Sequence, residues 1–220
     1  MIHSQPPAVI YVIVISNEMN LGYTKYEVIA MCGRYTFFTE NELREIDDII
    51  EKVNNEVQRD KMSTGEIFPT NIVPVLLPHK EEITPRLLTW GFPNFKNSGV
   101  IINARSETVH EKPMFRSSLA SKRCVIPSTG FYEWDKDKNK YLFHLSGSPM
   151  LYMAGLYHEF DGLIRFVILT TDANNSMAEV HKRMPIVLPK KRIEDWLFDN
   201  NAIHDILYSN HPELIKERIV

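Results

Sequence analysis

The chain has 220 residues, with 25 Lys plus Arg against 28 Asp plus Glu, a formal charge of −3, two cysteines and 44% hydrophobic residues. This is one ordinary domain with enough chain to bury a core; 24% charged residues, 10% aromatics and nine glycines exclude a disordered, collagenous or low-complexity chain. No run approaches the roughly 18 apolar residues of a membrane span, and cysteines at 32 and 124 build neither a disulfide framework nor a CxxC zinc site, so reduced cytoplasmic thiols are expected.

Residues 1–30 differ from the rest. An apolar run extends from Ala8 to Ile15, but no Lys or Arg precedes Lys25, so the basic start of a secretory signal is missing. Met31 occupies the position where a lipoprotein signal ending at Cys32 needs a small residue. Three readings stay open: an edge strand added to the fold, a removable pro-segment, or sequence upstream of a true start at Met31. The expected domain division is an extension over 1–30 and a working domain over 31–220.

From Thr39 the sequence predicts a helix. Thr39 and Glu42 form a capping box, and Leu43, Ile46, Ile50, Val53 and Val57 recur at three and four above an acidic face. After Gly65, short β-rich runs punctuated by Pro and Gly predict strands over 72–77, 86–90, 123–126, 130–134, 141–145, 151–156 and 165–170. Helices are expected over 175–180 and 192–198, with only weak helical periodicity from Ala202 to Val220. The expected fold is α+β: a single compact domain with a mostly antiparallel, barrel-like sheet and a few flanking helices.

Polar residues interrupt these apolar runs in three places: Asn103, Arg105 and Glu107 in IINARSET, Glu133 in GFYEW, and His181 and Arg183 in VHKRMPIVL. A carboxylate between two aromatics on a strand is partly desolvated, which suits it to proton transfer near neutrality; an exposed Glu on an alternating strand is the plainer reading. His181, as a lone histidine, reads more readily as a structural hydrogen-bonder than as a catalyst, and Asn103 equally as a turn or strand-end residue. Cys124, in the apolar RCVIP, reads as a buried structural thiol. Cys32 precedes Gly33 and Arg34, a cation that favours the thiolate. If translation starts at Met31 and that methionine is removed, Cys32 carries a free α-amine beside its thiol. Such a 1,2-aminothiol condenses with an aldehyde to an imine, and the thiol then closes a thiazolidine. An internal cysteine cannot do this, because its nitrogen is an amide.

The segments MCGRYTFF (31–38), IFPTNIVPVL (67–76), LTWGFPNF (88–95), the run from INARSET to GFYEW (102–134), MAGLY (153–157) and ILTTDANNSMAEVHKRMPIVL (168–188) together resemble the SOS response-associated peptidase (SRAP) family. The likeness spans about Met31 to Trp196. It implies a compact mixed α/β domain that links covalently, as a thiazolidine, to abasic sites in single-stranded DNA, with an autoproteolytic activity able to expose the cysteine. It further implies that Cys32 is the nucleophile, that Asn103 orients it, that Glu133 is the acid/base opening the sugar hemiacetal, and that His181 shuttles protons. Arg34, Arg105, Arg116 and Arg183 would meet phosphates, while Trp90, Phe92 and Trp134 would stack on bases, with Pro69 beside them. No cofactor or metal is implied, and a cytoplasmic, nucleoid-associated monomer is expected.

The chain departs from the family pattern where GEIFPTN replaces a YNxAPT-like element, and where the valine-rich strand before SNHPELI is missing. From Glu179 to Arg192 a single acid faces Lys182, Arg183, Lys190, Lys191 and Arg192, so the net charge does not exclude DNA as a partner. Two other classes remain open: a cysteine peptidase using Cys32, His181 and Asn103, and a noncovalent single-stranded DNA-binding module.

Overall fold

The computed structural model describes residues 33–39, 43–95 and 99–219. Strand β1 (Arg34–Phe37) precedes helix α1 (Arg44–Val53). Six strands follow: β2 (Gly65–Ile67), β3 (Ile72–His79), β4 (Glu82–Trp90), β5 (Phe92–Pro93), β6 (Val100–Ile101) and β7 (Asn103–Arg105). Helix α2 (Pro113–Ser121) leads into β8 (Arg123–Ser128), β9 (Gly130–Trp134), β10 (Lys140–Leu145), β11 (Leu151–Phe160) and β12 (Leu163–Asp172). Short strands β13 (Arg183–Pro185) and β14 (Val187–Leu188), helices α3 (Ile193–Phe198) and α4 (Ala202–Tyr208), and strand β15 (Leu214–Ile219) complete the described chain.

Five strands close a barrel. β3 lies antiparallel between β4 and β8, β8 pairs with β11 and β11 with β12; β12 then runs parallel to β4, with Phe166 opposite Trp90. The β11–β12 hairpin turns on Asp161-Gly162, both at positive φ, the backbone that matches the twist of paired strands. Above this ring β12 gains two more partners, parallel β7 (Asn103 opposite Ile168) and antiparallel β13 (Arg183 opposite Asp172). A second sheet, in the order β15-β10-β9-β1-β2, stands beside the barrel. The expected α+β class and mostly antiparallel barrel are therefore what the chain adopts.

Local departures have identifiable causes. Helix α1 starts at Arg44 after Leu43, so Thr39 does not cap it, and Glu42 lies outside the described residues. Ile46, Ile49 and Val53 are buried on it, but the helix ends there and leaves Val57 fully exposed. The stretch 175–180 forms overlapping turns, in which the Met177 and Ala178 N–H groups both return to the Asn174 carbonyl. The tail supplies α4 and then a six-residue strand on β10. Helix α2, absent from the sequence expectations, opens on Pro113, whose fixed φ suits a first helical turn.

Arg123 joins α2 and α3 to the barrel. Its guanidinium donates to the Leu119 and Ala120 carbonyls at the end of α2, to the Trp196 and Leu197 carbonyls at the end of α3, and to Asn200. One cation thus satisfies carbonyls that two helix ends would otherwise leave open. Trp196 reinforces the joint by donating its indole N–H to the Cys124 carbonyl at 2.9 Å.

Barrel closure brings Gly155 of β11 against its neighbours: a Cβ there would stand 2.4 Å from Ile126 Cδ1 and 2.7 Å from the Val167 carbonyl oxygen. Backbone on one side and a packed core on the other leave no relief, so Gly155→Ala should lower stability by about 1 to 3 kcal/mol, measured by denaturant unfolding. An unchanged midpoint would mean that the wall between β8 and β12 gives way more easily than this packing implies.

Candidate functional site at the β1–β9 edge

Strand β9 alternates its side chains across the second sheet. Phe131 and Glu133 share the inner face, where the Phe131 ring stacks on Phe143 with centroids 5.4 Å apart; Tyr132 and Trp134 face the other way. Glu133 is 2% exposed, so the plainer reading of a surface carboxylate is overturned. In the β1–β9 ladder Arg34 lies opposite Tyr132 and Tyr35 opposite Phe131. Extended by one residue, that register sets Gly33 opposite Glu133. Cys32 itself lies outside the described residues, as do residues 1–30.

Asn103 and His181 flank β12 on either side. Asn103 begins β7 and is half-buried. His181 stands two residues before β13, and its Nδ1 lies 3.1 Å from the Arg183 N–H and 3.0 Å from the Arg183 carbonyl oxygen. Nδ1 can accept from that N–H with the neutral ring protonated at Nε2, or carry the proton itself and donate to the carbonyl. On protonation Nδ1 has the carbonyl to donate to. The ring thus keeps a hydrogen bond in either charge state; with the neutral-ring proton on Nδ1, Nε2 is the nitrogen that takes and returns a proton, and it is buried without a hydrogen-bond partner among the described residues.

The outer face of the same sheet carries a cluster of cations and aromatics. Arg34 Cζ sits 4.6 Å from the Phe68 ring centroid and 5.1 Å from that of Trp134, and Lys140 Nζ sits 3.7 Å over Tyr132. Glu66 Oε1 accepts from both cations, at 3.1 Å from Arg34 and 2.9 Å from Lys140. Burial works to raise the Glu66 carboxyl, but the hydrogen bonds and charges of Lys140 and Arg34 prevail and hold it below the usual carboxylate range. Phe68, Glu66, Tyr132 and Lys140 were not among the sequence candidates. Their only signal is strand alternation, which needs the register of three strands before it brings them together.

Several expected DNA contacts are corrected. Trp90 and Phe92 are wholly buried: Trp90 donates its indole N–H to the Ile102 carbonyl and packs between Tyr35 and Phe166, and Phe92 packs on Phe115 and Phe160. Neither presents a face to a base. Pro69 is buried as well, while the preceding Phe68 is 38% exposed, because the turn closed by the Phe68 N–H on Asn71 Oδ1 points Phe68 outward. Arg183 is committed to Glu107, Asp172 and Thr170. Arg116 is exposed on α2, Arg105 is half-buried and Trp134 is partly exposed beside Arg34.

The basic strip is likewise less free than its sequence implies. Lys190 pairs with Glu45 of α1 at 2.7 Å, and Arg192 with Asp195 and Asp205, both at 2.8 Å. Lys182 and Lys191 are the exposed remainder among its five cations. Among the described residues, no three His, Cys, Asp or Glu side chains are grouped to hold a metal ion, and no described helix is long and apolar enough to cross a membrane.

This pairing of a closed barrel with a flanking sheet recurs in a solved Bacteroides thetaiotaomicron protein. The two chains superpose with a TM-score of 0.69 at 22% identity, over 86% of this chain and 92% of that one. The sequence model of the SOS response associated peptidase (SRAP) family matches residues 31–216, and the chain belongs to that family. Relatives include the abasic site processing protein YoqW of Bacillus subtilis, 37% identical over 81% of this chain and 85% of its own length. The abasic site processing protein YedK of Escherichia coli is 26% identical over 76% of this chain and 79% of its own.

Cys124 belongs to the barrel wall. It is fully buried, its Sγ lies 3.1 Å from where a Cβ on Gly155 would be, and burial pushes its thiol well above the ordinary range. In the folded protein Cys124 should therefore resist iodoacetamide at pH 8 and react only after denaturation. Peptide mass mapping reads the site of modification; rapid native labelling of Cys124 would contradict the closed barrel.

Proposed function

We propose that the protein recognises abasic sites in single-stranded DNA and forms a thiazolidine crosslink through Cys32. What supports this reading is the β1–β9 ladder, whose terminal pair, Arg34 opposite Tyr132, lies next to the buried Glu133 on β9 and two residues after Cys32 in the sequence. The names of the relatives, abasic site processing proteins, supply the substrate class. An abasic deoxyribose rests mainly as a ring hemiacetal. Glu133 takes the proton of the C1 hydroxyl and returns one to the ring oxygen, which opens the ring to the aldehyde. The α-amine of Cys32 adds to that carbon, water leaves as the imine forms, and the thiol adds across the C=N bond to close the five-membered ring.

The net change is the loss of one water. His181, exchanging its proton at Nε2, serves the carbinolamine dehydration and its reverse, and splits the acid and base duties with Glu133. Asn103 orients the nucleophile. On the outer face Arg34 meets phosphate, and Trp134 and Phe68 offer rings to bases, sequence-tolerant contacts of about 1 to 3 kcal/mol each. Arg105 and Arg116 provide further backbone contacts. The chemistry requires an α-amine on Cys32, so the residues ahead of it are absent from the reacting chain, removed by autoproteolysis or never translated.

Protein beginning at Cys32 should give a denaturant-stable adduct with abasic single-stranded oligonucleotide, resolved by denaturing electrophoresis, and Cys32→Ala should abolish it. The chain retaining residues 1–31 should give none. Glu133→Gln should slow adduct formation by about 100-fold, the usual scale of general acid–base catalysis, with binding of an intact oligonucleotide within twofold of the parent. Absence of adduct from protein beginning at Cys32 would end this reading. A loss of binding in Glu133→Gln that matches the loss of rate would recast Glu133 as a binding residue.

A further inference from the structure

We propose that Arg34 and Lys140 form a two-cation site for one phosphodiester of the bound strand, and that the Glu66 carboxylate holds the phosphate's place until DNA displaces it. The site deepens the function proposed above and takes its single-stranded DNA ligand from that reading. New to it are Lys140 as a phosphate contact and Glu66 as a built-in competitor. The observation that carries it is the balance of charge. Lys190 is neutralised by Glu45, Arg86 by Glu56 and Lys216 by Glu179, and Arg192 faces two aspartates. Among the described residues, Glu66 is the one acid paired with two Lys or Arg side chains, which leaves a surplus of one positive charge.

The sheet order explains the geometry. Lys140 lies on β10 and Glu66 on β2, with β9 and β1 between them. Three strand spacings are about 14 Å, so the two side chains meet only by lying along the face toward one another. Both cations are seated on rings: Lys140 Nζ lies 3.7 Å from the Tyr132 centroid and 5.7 Å from that of Trp134, and Arg34 Cζ lies 4.6 Å from Phe68 and 5.1 Å from Trp134. Ring contact holds a cation without using a hydrogen bond, so both keep their places when the carboxylate leaves. Each gives an N–H group to the same oxygen, Glu66 Oε1. The three side chains are 24 to 38% exposed, so these pairs are open to solvent and weak. A phosphodiester carries the same single charge on two oxygens of one atom and fits where the carboxylate sits. Burial works to raise the Glu66 carboxyl, but Lys140 and Arg34 hold it low, so near neutrality it is an anion that competes for both cations.

The test uses the chain beginning at Cys32 and a single-stranded oligonucleotide with a tetrahydrofuran at its centre, an abasic analogue that lacks the C1 hydroxyl and cannot open to an aldehyde. Affinity is read by fluorescence anisotropy over a range of salt, with folding checked by thermal unfolding. Lys140→Gln should weaken binding about 10-fold, the scale of one hydrogen bond to a charged group. It should also lower the salt slope by about 0.7, the value of one phosphate on a single strand. Glu66→Gln should tighten binding and raise the slope by about 0.7, since both cations then act without their competitor. Methylphosphonates, which remove the charge of one phosphate at a time, locate the site. At one position near the tetrahydrofuran the replacement should weaken the parent by the same factor as Lys140→Gln and leave Lys140→Gln itself unaffected, because the two changes delete one contact.

Lys140→Gln that binds as the parent does, with an unchanged slope, overturns the phosphate contact. Weaker binding in Glu66→Gln overturns the competition, since the carboxylate would then be placing the cations for DNA. Methylphosphonate effects equal in the parent and Lys140→Gln at every position reduce Lys140 to a share of the general field and overturn the site as well. If Lys140→Gln does not fold, Lys140→Met, which keeps the length of the stem, carries the same readouts. A parent that binds the tetrahydrofuran strand but forms no adduct with abasic DNA fails the proposed crosslinking, while the binding data still decide the phosphate site.

Discussion

Strand β12 is the interaction on which the rest of the structure depends. It makes hydrogen-bonded ladders with four strands: β4 and β7 run parallel to it, β11 and β13 antiparallel. The β4 and β11 ladders close the barrel. The β7 and β13 ladders bring in Asn103 and the turn of His181, two segments that are separated by most of the barrel in sequence. A parallel pairing cannot be made by a short hairpin and requires a long crossover, and here α2, β8, β9, β10 and β11 occupy the chain between β7 and β12. The long connection that parallel pairing demands is thus the same length of chain that contributes Glu133.

The second constraint is charge. With a net charge of −3, the binding of the polyanion proposed above cannot rely on the overall field and depends on where the cations are left available. Three cations of the strip near the C-terminal part are paired with acids, one of them on α1. Arg34 and Lys140 share one carboxylate, Glu66, and keep most of their donors. Arg183, by contrast, donates its four terminal N–H groups to Glu107, Asp172 and Thr170. Exposed ion pairs contribute little to stability, so the acids on the outer face matter more to ligand access than to folding.

Much of the fold was legible. Seven strand runs carried alternating or continuous apolar patterns, and each lies within an observed strand, because strands of the barrel and of the flanking sheet alike bury at least one face. Glu133 was legible as a carboxylate between aromatics, since alternation sets it on the face opposite to its two neighbours. The expectation for Trp90 and Phe92 failed for the same physical reason that the strands were readable. Both lie next to the β4–β12 closure, where Tyr35 and Phe166 pack on Trp90 and Phe115 and Phe160 on Phe92, which leaves neither ring open to a base. The expected helix over 175–180 failed because two overlapping turns satisfy the same few carbonyls without needing the third helical turn that stability usually requires. The acidic surroundings of Arg183 could not be read at all, since Glu107 is 76 residues away and no local pattern predicts the partner.

Strand β9 joins these two constraints. Its inner face holds the buried carboxyl of Glu133, and its outer face holds Tyr132 and Trp134 beside the cations. In the proposed reaction the strand that seats the flanking nucleotides is also the strand that carries the acid, so a displacement of bound DNA by one base would move the aldehyde by several ångströms relative to Glu133. Recognition of the backbone and flanking bases, which carries no sequence information, would then fix the register of the lesion and so the chemistry. Selectivity for an abasic site follows without a pocket that reads a base: only a sugar without a base supplies an aldehyde, and any other nucleotide held in the same register presents nothing for the amine to attack.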